Sequence, residues 1–364
     1  MKQIAKSHVI SIGLAIFSML FGAGNLIYPL MVGQESGKLV FFGMLGFLLT
    51  SVILPIAGIV GMILFDGDYQ TFFKRVGELP GELIVGICVL IIGPVIAIPR
   101  ITTLSHIMIA PFIPITFLQQ LTPVSSFVFA LIFLGITFAA TFRESKIIDV
   151  LGKYISPVLL LSLTIIIIWG LVTAEQAVPT FNTALNLFKS NLLRGYETLD
   201  LLGTIFFASI VISILKKSVS KDYNVNKLAI IGCKAGLLGV SLLGLVYIGM
   251  SLLGVFHAHN IAYTNAGELF REIAFRILGT GGAAVIATAV LMACLSTSIA
   301  LSAVVAEYVQ KMLGNKINFI TALAATLLAC IPLSTFGLKK VLVLTGGPIV
   351  YIGYPIIIVI TFCN

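Results

Sequence analysis

Ten runs of apolar residues, each about 18 residues or longer and parted by short polar connections, leave this chain few ways to fold. They lie near 8–33, 39–65, 83–109, 125–141, 154–173, 197–215, 228–255, 281–306, 318–336 and 341–363. About 20 consecutive apolar residues cross the hydrocarbon core of a bilayer as a helix. No water is available there for backbone N–H and C=O groups, so each run must satisfy its own hydrogen bonds as a helix does. Composition agrees: 59% of the 364 residues are hydrophobic and 10% are charged, more apolar surface than a soluble core of this length can enclose. The expectation is an all-α polytopic membrane protein with ten transmembrane helices. Lys2 and Lys6 precede the first run as they would in a signal peptide. Its length, and its continuation through Asn25 to Pro29 without a small-x-small cleavage site, predict a retained span instead.

Basic residues set the expected orientation, because cytoplasmic loops retain Lys and Arg during insertion. With the amino terminus inside, most of them, including Lys74, Arg75, Arg143, Lys146, Lys216, Lys217 and Lys311, fall on the cytoplasmic side. Both termini are therefore expected in the cytoplasm, although Lys339 and Lys340 run against the bias. The net charge of +8 is spread over short loops facing anionic lipid headgroups, and no basic cluster with interleaved aromatics points to nucleic acid. Cys88, Cys233, Cys294, Cys330 and Cys363 all fall in apolar runs without metal-ligand spacing, and read as small buried residues outside disulfides. No nucleophile, metal triad or phosphate loop suggests an enzyme.

The connections at 174–196 and 256–280 carry short amphipathic patterns, such as Leu185-Asn186-Leu187-Phe188, that suit helices at the outer surface. Ten spans divide into five and five, and an odd number per half starts the two halves from opposite sides of the membrane. That is the arithmetic of an inverted repeat, first half about 8–173 and second about 197–363, with substrate and ion sites near midplane where paired helices are interrupted.

The sequence Phe21-Gly22-Ala23-Gly24-Asn25 sits within the first run. Glycine costs roughly 1 kcal/mol against alanine inside a helix, and an asparagine amide finds no partner in hydrocarbon. Two readings stand side by side: an unwound helix whose freed carbonyls hold a cation and whose freed amides hold a carboxylate, or glycines that permit close packing. In the eighth run Ser296, Thr297 and Ser298 offer hydroxyls to a cation, or bond their own backbone. Arg100, after Pro94 and Pro99 in the third run, faces a cavity or partner, or snorkels to the headgroups. The sixth run is expected to hold the partner break, with Gly203, Thr204, Ala208 and Ser209 as small or polar candidates and Phe206 and Phe207 lining an apolar pocket; an ordinary packed helix is the alternative. Asp200, His106, Lys234 and Glu307 lie near run ends and are expected at the interface.

The segments GLAIFSMLFGAGNLIYPLMVGQESGK, GPVIAIPR and ACLSTSIALSAVVAEY resemble those of the bacterial branched-chain amino acid:cation symporters, the LIVCS or BrnQ-type carriers. The resemblance implies a LeuT-like five-plus-five inverted repeat with discontinuous spans 1 and 6, in the bacterial inner membrane. It implies symport of leucine, isoleucine or valine with Na+, with H+ or Li+ as alternatives. Gly22, Ala23, Gly24, Asn25, Phe206, Phe207 and Ser209 would bind substrate, the Ala23 and Gly24 amides taking its carboxylate. Ser18 and Phe21 carbonyls with Ser296 and Thr297 hydroxyls would hold sodium, Ser298 beside them, and Asn25 would serve a second ion. Members usually have about twelve spans; ten suffice for the core of the fold. A channel, a membrane-embedded enzyme and a non-transporting family member are the competing readings.

Overall fold

The computed structural model describes residues 6–143, 146–218, 225–261, 263, 266–335 and 351–364, and every regular element among them is helical. In chain order these are α1 (Lys6–Leu20), α2 (Ala23–Ser36), α3 (Val40–Leu48), α4 (Leu54–Leu64), α5 (Tyr69–Lys74), α6 (Glu78–Leu90), α7 (Ala97–Ile109), α8 (Thr116–Gln119) and α9 (Pro123–Thr141). They are followed by α10 (Ile147–Asp149), α11 (Ser156–Val172), α12 (Ala184–Tyr196), α13 (Asp200–Ser218), α14 (Val225–His257), α15 (Ala266–Leu278), α16 (Ala283–Met312), α17 (Phe319–Thr335) and α18 (Tyr354–Cys363). Wide π turns join α3 to α4 at Leu49–Ile53 and α10 to α11 at Val150–Ile155.

Seven stretches of the described residues are long and apolar enough to cross a bilayer: Ala23–Leu64, Glu78–Phe112, Pro123–Thr141, Ile147–Val172, Ala184–Ser213, Ala229–His257 and Ala283–Met312. Val9–Leu20, Phe319–Thr335 and Tyr351–Cys363 are shorter apolar helices. This is a polytopic membrane protein. Its outward faces carry large apolar side chains such as Phe41, Leu64, Leu131, Trp169 and Leu328, a surface suited to acyl chains and not to water. Ala23–Leu64 has 42 residues, about 63 Å at 1.5 Å per residue and twice the hydrocarbon thickness of about 30 Å. Gly37 divides it, with φ +47° and so little room that a Cβ would stand 2.1 Å from the Val178 carbonyl oxygen.

The long helix α14, 33 residues without interruption, carries both α1 and α2 along one side. Gly13 of α1 lies against Ala235 and Leu238, and Gly33 of α2 against Ser251 and Val255, so the two short helices follow one another along α14 and run parallel to it. The approach is as close as backbones allow. A Cβ on Gly33 would stand 1.8 Å from the Ser251 carbonyl oxygen, and one on Gly254 2.1 Å from that of Leu30. With no difference in apolarity between lipid and protein to drive association, such small-residue contacts supply the dispersion that holds membrane helices together.

The structure departs from the sequence expectations at several places. The helical span expected to start at residue 197 already begins with α12 at Ala184, and α12 packs against α3 with Gly46 touching the Phe188 carbonyl oxygen and Gly195 touching Thr50. Its amphipathic pattern therefore serves a protein contact. Cys88, Cys294 and Cys330 are buried, but Cys233 and Cys363 are exposed on outer helix faces, and all five are free thiols. His106 is buried, its Nε2 bonded to the Leu118 carbonyl at 2.9 Å and its ring stacked on Phe129. Asp200 is buried too, at 2% exposure. Lys234 is exposed, and Glu307 pairs with Lys311 at 2.7 Å near the surface. Most of the tenth run lies outside the described residues or in the short α18.

Replacing Gly33 with alanine is expected to prevent α2 and α14 from docking and to lower the thermal midpoint of the solubilised protein by ten degrees or more, because backbone cannot yield as a side chain does. Gly135 of α9, with open space where a Cβ would go, tolerates alanine with no loss. Fluorescence-detected size exclusion after a temperature series distinguishes the two.

Candidate functional site between two helix breaks

α1 ends at Leu20, and the chain passes through Phe21 and an extended Gly22 before α2 starts at Ala23. Two of the N–H groups at this break find partners locally. The Phe21 N–H donates to Phe17 O at 2.9 Å, and the Gly22 N–H is shared between Leu20 O at 3.0 Å and the Asn25 side-chain oxygen at 3.1 Å. Asn25 thus reaches back over the first turn of α2, as the third residue of a capping box does. The N–H groups of Ala23 and Gly24 open α2 and have no intrahelical acceptor, which makes this end a favourable site for an anion.

A second break stands opposite. α12 ends at Tyr196, Glu197 and Thr198 turn, and Leu199 adopts φ +62° before α13 begins at Asp200. A left-handed leucine costs of order 1 kcal/mol or more and persists only where its surroundings fix it. Here the Thr198 hydroxyl donates to Gly195 O at 2.8 Å and accepts from the Asp200 N–H at 3.4 Å, while the Leu199 carbonyl accepts from the Gly203 N–H at 2.8 Å.

A buried polar cluster joins the breaks. Asn25 Nδ2 donates to Asp200 Oδ1 at 2.9 Å and to Oδ2 at 3.2 Å, the Tyr247 hydroxyl of α14 donates to Asp200 Oδ2 at 2.5 Å, and Asn25 also contacts the Tyr247 hydroxyl. Arg100 of α7, 4% exposed, donates from Nη1 to the Glu197 carbonyl at 3.0 Å, and its Nε is buried without a hydrogen-bond partner. A Cβ on Gly24 would lie 3.4 Å from Arg100 Nη2. Between these groups is a cavity of about 30 Å³ whose apolar side includes Leu20, Ile101, Phe207 and Leu301. A cavity that size takes a water or two and no branched aliphatic side chain.

Of the residues singled out from sequence, Gly22, Ala23, Gly24, Asn25, Arg100, Asp200, Gly203, Phe207 and Thr297 come together around this cavity. Ser18 and Thr297 meet, the Thr297 hydroxyl 3.5 Å from the Ser18 carbonyl, with Gly22 packed on Thr297. Phe21 is buried against Phe17 and Tyr247. Ser296 bonds Ala293 O in its own helix, and Ser298 faces Thr137 of α9 at 3.2 Å. Phe206 points away, packing on Tyr69 and Phe73 of α5, a helix capped by Asp68, which accepts from the Gln70 and Thr71 N–H groups. Ser209 is buried outside the cavity lining, and Gly203, Thr204 and Ala208 lie within the unbroken α13 and form no break.

Asp200 and Tyr247 were not legible as site residues. An aspartate three residues into a span that starts at 197 reads as interfacial; with α12 counted into the same interrupted span it stands in mid-course. The available signal was the spacing of Leu187, Asn191 and Gly195, which puts the buried positions of α12 on one helical face. Tyr247 carries no signal beyond its hydroxyl in an apolar run.

Replacing Tyr247 with phenylalanine removes one donor from a buried carboxylate and is expected to lower stability by about 1–3 kcal/mol, read as a lower thermal midpoint. An unchanged midpoint would mean that the cluster is solvated.

Residues 5–364 match the family described as branched-chain amino acid transport protein. The branched-chain amino acid permease BraB of Bacillus subtilis is 31% identical over 96% of this chain and 78% of its own length. The permease BrnQ of the same organism is 29% identical over 99% of this chain and 81% of its own. The branched-chain amino acid transport system 3 carrier protein of Pseudomonas aeruginosa is 26% identical over the whole chain and 82% of its own. With interrupted helices framing a charged, buried cavity and a match along nearly its full length, this chain belongs to the branched-chain amino acid transport protein family.

Proposed function

We propose that this chain is a secondary active transporter that carries leucine, isoleucine and valine into the cytoplasm by sodium-coupled symport. The observation that carries the reading is the pair of facing helix breaks, Phe21–Gly22 and Glu197–Leu199, around one buried cavity. Interruptions at membrane depth persist where they line a cavity or hold ions. The first break opens a run that starts the chain and the second opens the half beginning with α12, which supports a LeuT-like inverted repeat of α1–α11 on α12–α18. The names of the relatives support the substrate class, and the apolar lining suits an aliphatic side chain. One methylene more or less changes binding by only about 1–3 kcal/mol in such a pocket, so the three branched side chains are accepted together.

Sodium is a second cargo here. The Ser18 carbonyl and the Thr297 hydroxyl, already adjacent, supply hard oxygen ligands of the kind the ion takes, and the Phe21 carbonyl at the break joins them. Ser296 and Ser298 have other partners and are left out. The cavity is too small for substrate, so the helices around it part to admit leucine and close again, which is the physical content of alternating access. The excess of Lys and Arg in alternate loops supports cytoplasmic termini and insertion in the bacterial inner membrane.

Leucine uptake into proteoliposomes is expected to saturate and to rise with an inward sodium gradient. Flux indifferent to the gradient overturns sodium coupling, and flux that never saturates indicates a channel. Thr297→Ala is expected to raise the sodium concentration for half-maximal uptake about tenfold, since one of few ligands is lost (~1.4 kcal/mol per decade). Gly24→Val, whose side chain would press on the Tyr28 ring at 3.1 Å and on Arg100, is expected to abolish leucine binding while the protein still inserts.

A further inference from the structure

The cavity between the breaks is lined by both signs of charge, Arg100 and Asp200, and the two are not in direct contact as an ion pair. Arg100 spends Nη1 on the Glu197 carbonyl and leaves Nε–H unpartnered although it is 96% buried. Asp200 is held by Asn25 and Tyr247, both neutral. Among the described residues neither forms an ion pair, yet both line the same cavity. Buried opposite charges ordinarily close on each other, because each alone is costly. Two that stay apart across a cavity complement a ligand that is itself a dipole.

We infer that Arg100 and Asp200 are the two poles of a subsite for the charged end of a free α-amino acid, Arg100 facing its carboxylate and Asp200 its ammonium. This rests on the transport reading above and adds which groups read the two charges. Arg100 lies against the first turn of α2, so its guanidinium and the Ala23 and Gly24 N–H groups converge on one place. A guanidinium presents a planar fork of donors matched to a carboxylate. Asp200 accepts from Asn25 and Tyr247, which fix its plane, and its carboxylate is an acceptor that suits an ammonium N–H. Asn25 belongs to both functions, since its oxygen caps the break and its amide nitrogen orients Asp200. A buried site built to pair a polar group rejects a ligand lacking it far more strongly than an apolar pocket rejects a missing methylene. Specificity is thus divided: loose for the branched side chain, strict for the charged head.

The test measures direct binding to the purified full chain in lipid nanodiscs by ligand-induced thermal stabilisation and by displacement of radiolabelled leucine. Three probes share one side-chain shape: leucine, 2-hydroxy-4-methylpentanoate, which lacks the ammonium, and 3-methylbutylamine, which lacks the carboxylate. The unsubstituted protein is expected to bind leucine at least a hundredfold more tightly than either. In Asp200→Asn leucine should weaken thirtyfold or more while the hydroxy acid changes less than threefold. In Arg100→Gln leucine should weaken while the amine is unaffected. A wild-type chain that binds leucine but takes the hydroxy acid equally well overturns the subsite and needs no variant to fold. So does Asp200→Asn that weakens leucine and hydroxy acid by the same factor. A wild-type chain without affinity for leucine overturns the transport reading itself, a distinct result.

Discussion

A helix that opens inside a membrane must find partners for the backbone groups it frees, and in this protein the Phe21 and Gly22 N–H groups at the opening are met by protein, while those of Ala23 and Gly24 face the cavity. Each unsatisfied N–H or C=O in hydrocarbon would cost several kcal/mol. The Gly22 N–H is therefore capped twice, by Leu20 O and by the Asn25 side chain, and the break is enclosed by α7, α13, α14 and α16. The rest of the architecture follows from that enclosure. α14 serves as a splint, since two helices of 15 and 14 residues are individually too short to span the core and need one uninterrupted neighbour to stay in line. Gly13, Gly33 and Gly254 make that neighbour close enough to work.

The same enclosure explains why strongly polar groups sit at this depth. A buried ionisable group contributes little to stability, because desolvation offsets what its hydrogen bonds return. Asp200 and Arg100 would be poor choices if packing were the only demand. Their environment is instead arranged to keep each ordered without neutralising it: Asn25 and Tyr247 on one, the Glu197 carbonyl on the other. Ordered but unneutralised charge is a common arrangement where a polar ligand is to be recognised in a low-dielectric site. The volume between them, about 30 Å³, is smaller than a leucine side chain.

Much of this was written plainly in the chain. Long apolar runs required helices, the glycines flanking Ala23 marked the first interruption, and Arg100 in an apolar context pointed to a cavity. The second interruption was misplaced. It has no paired glycines, and its turn is made by a left-handed leucine held by Thr198, a conformation that leucine's identity argues against. The polar outer face of α12 likewise hid its continuity with α13, because amphipathic periodicity is the same whether a helix lies on lipid headgroups or against α3. For the hydroxyls at 296–298, three consecutive residues on a helix point in different directions about 100° apart, and the Thr297 hydroxyl is the one that bonds the Ser18 carbonyl of α1.

The sequence by itself determined that the chain spans the membrane as a set of helices and that its first span is weakened at Gly22 and Gly24. Those properties depend on local chemistry: apolar length against bilayer thickness, and glycine against helix propensity. Only the tertiary structure decided that Asn25, Asp200 and Arg100, drawn from three separate helices, share one cavity, with Tyr247 of a fourth bonded to Asp200. Contacts between residues 175 and 222 positions apart arise from how helices pack, and no local pattern encodes them.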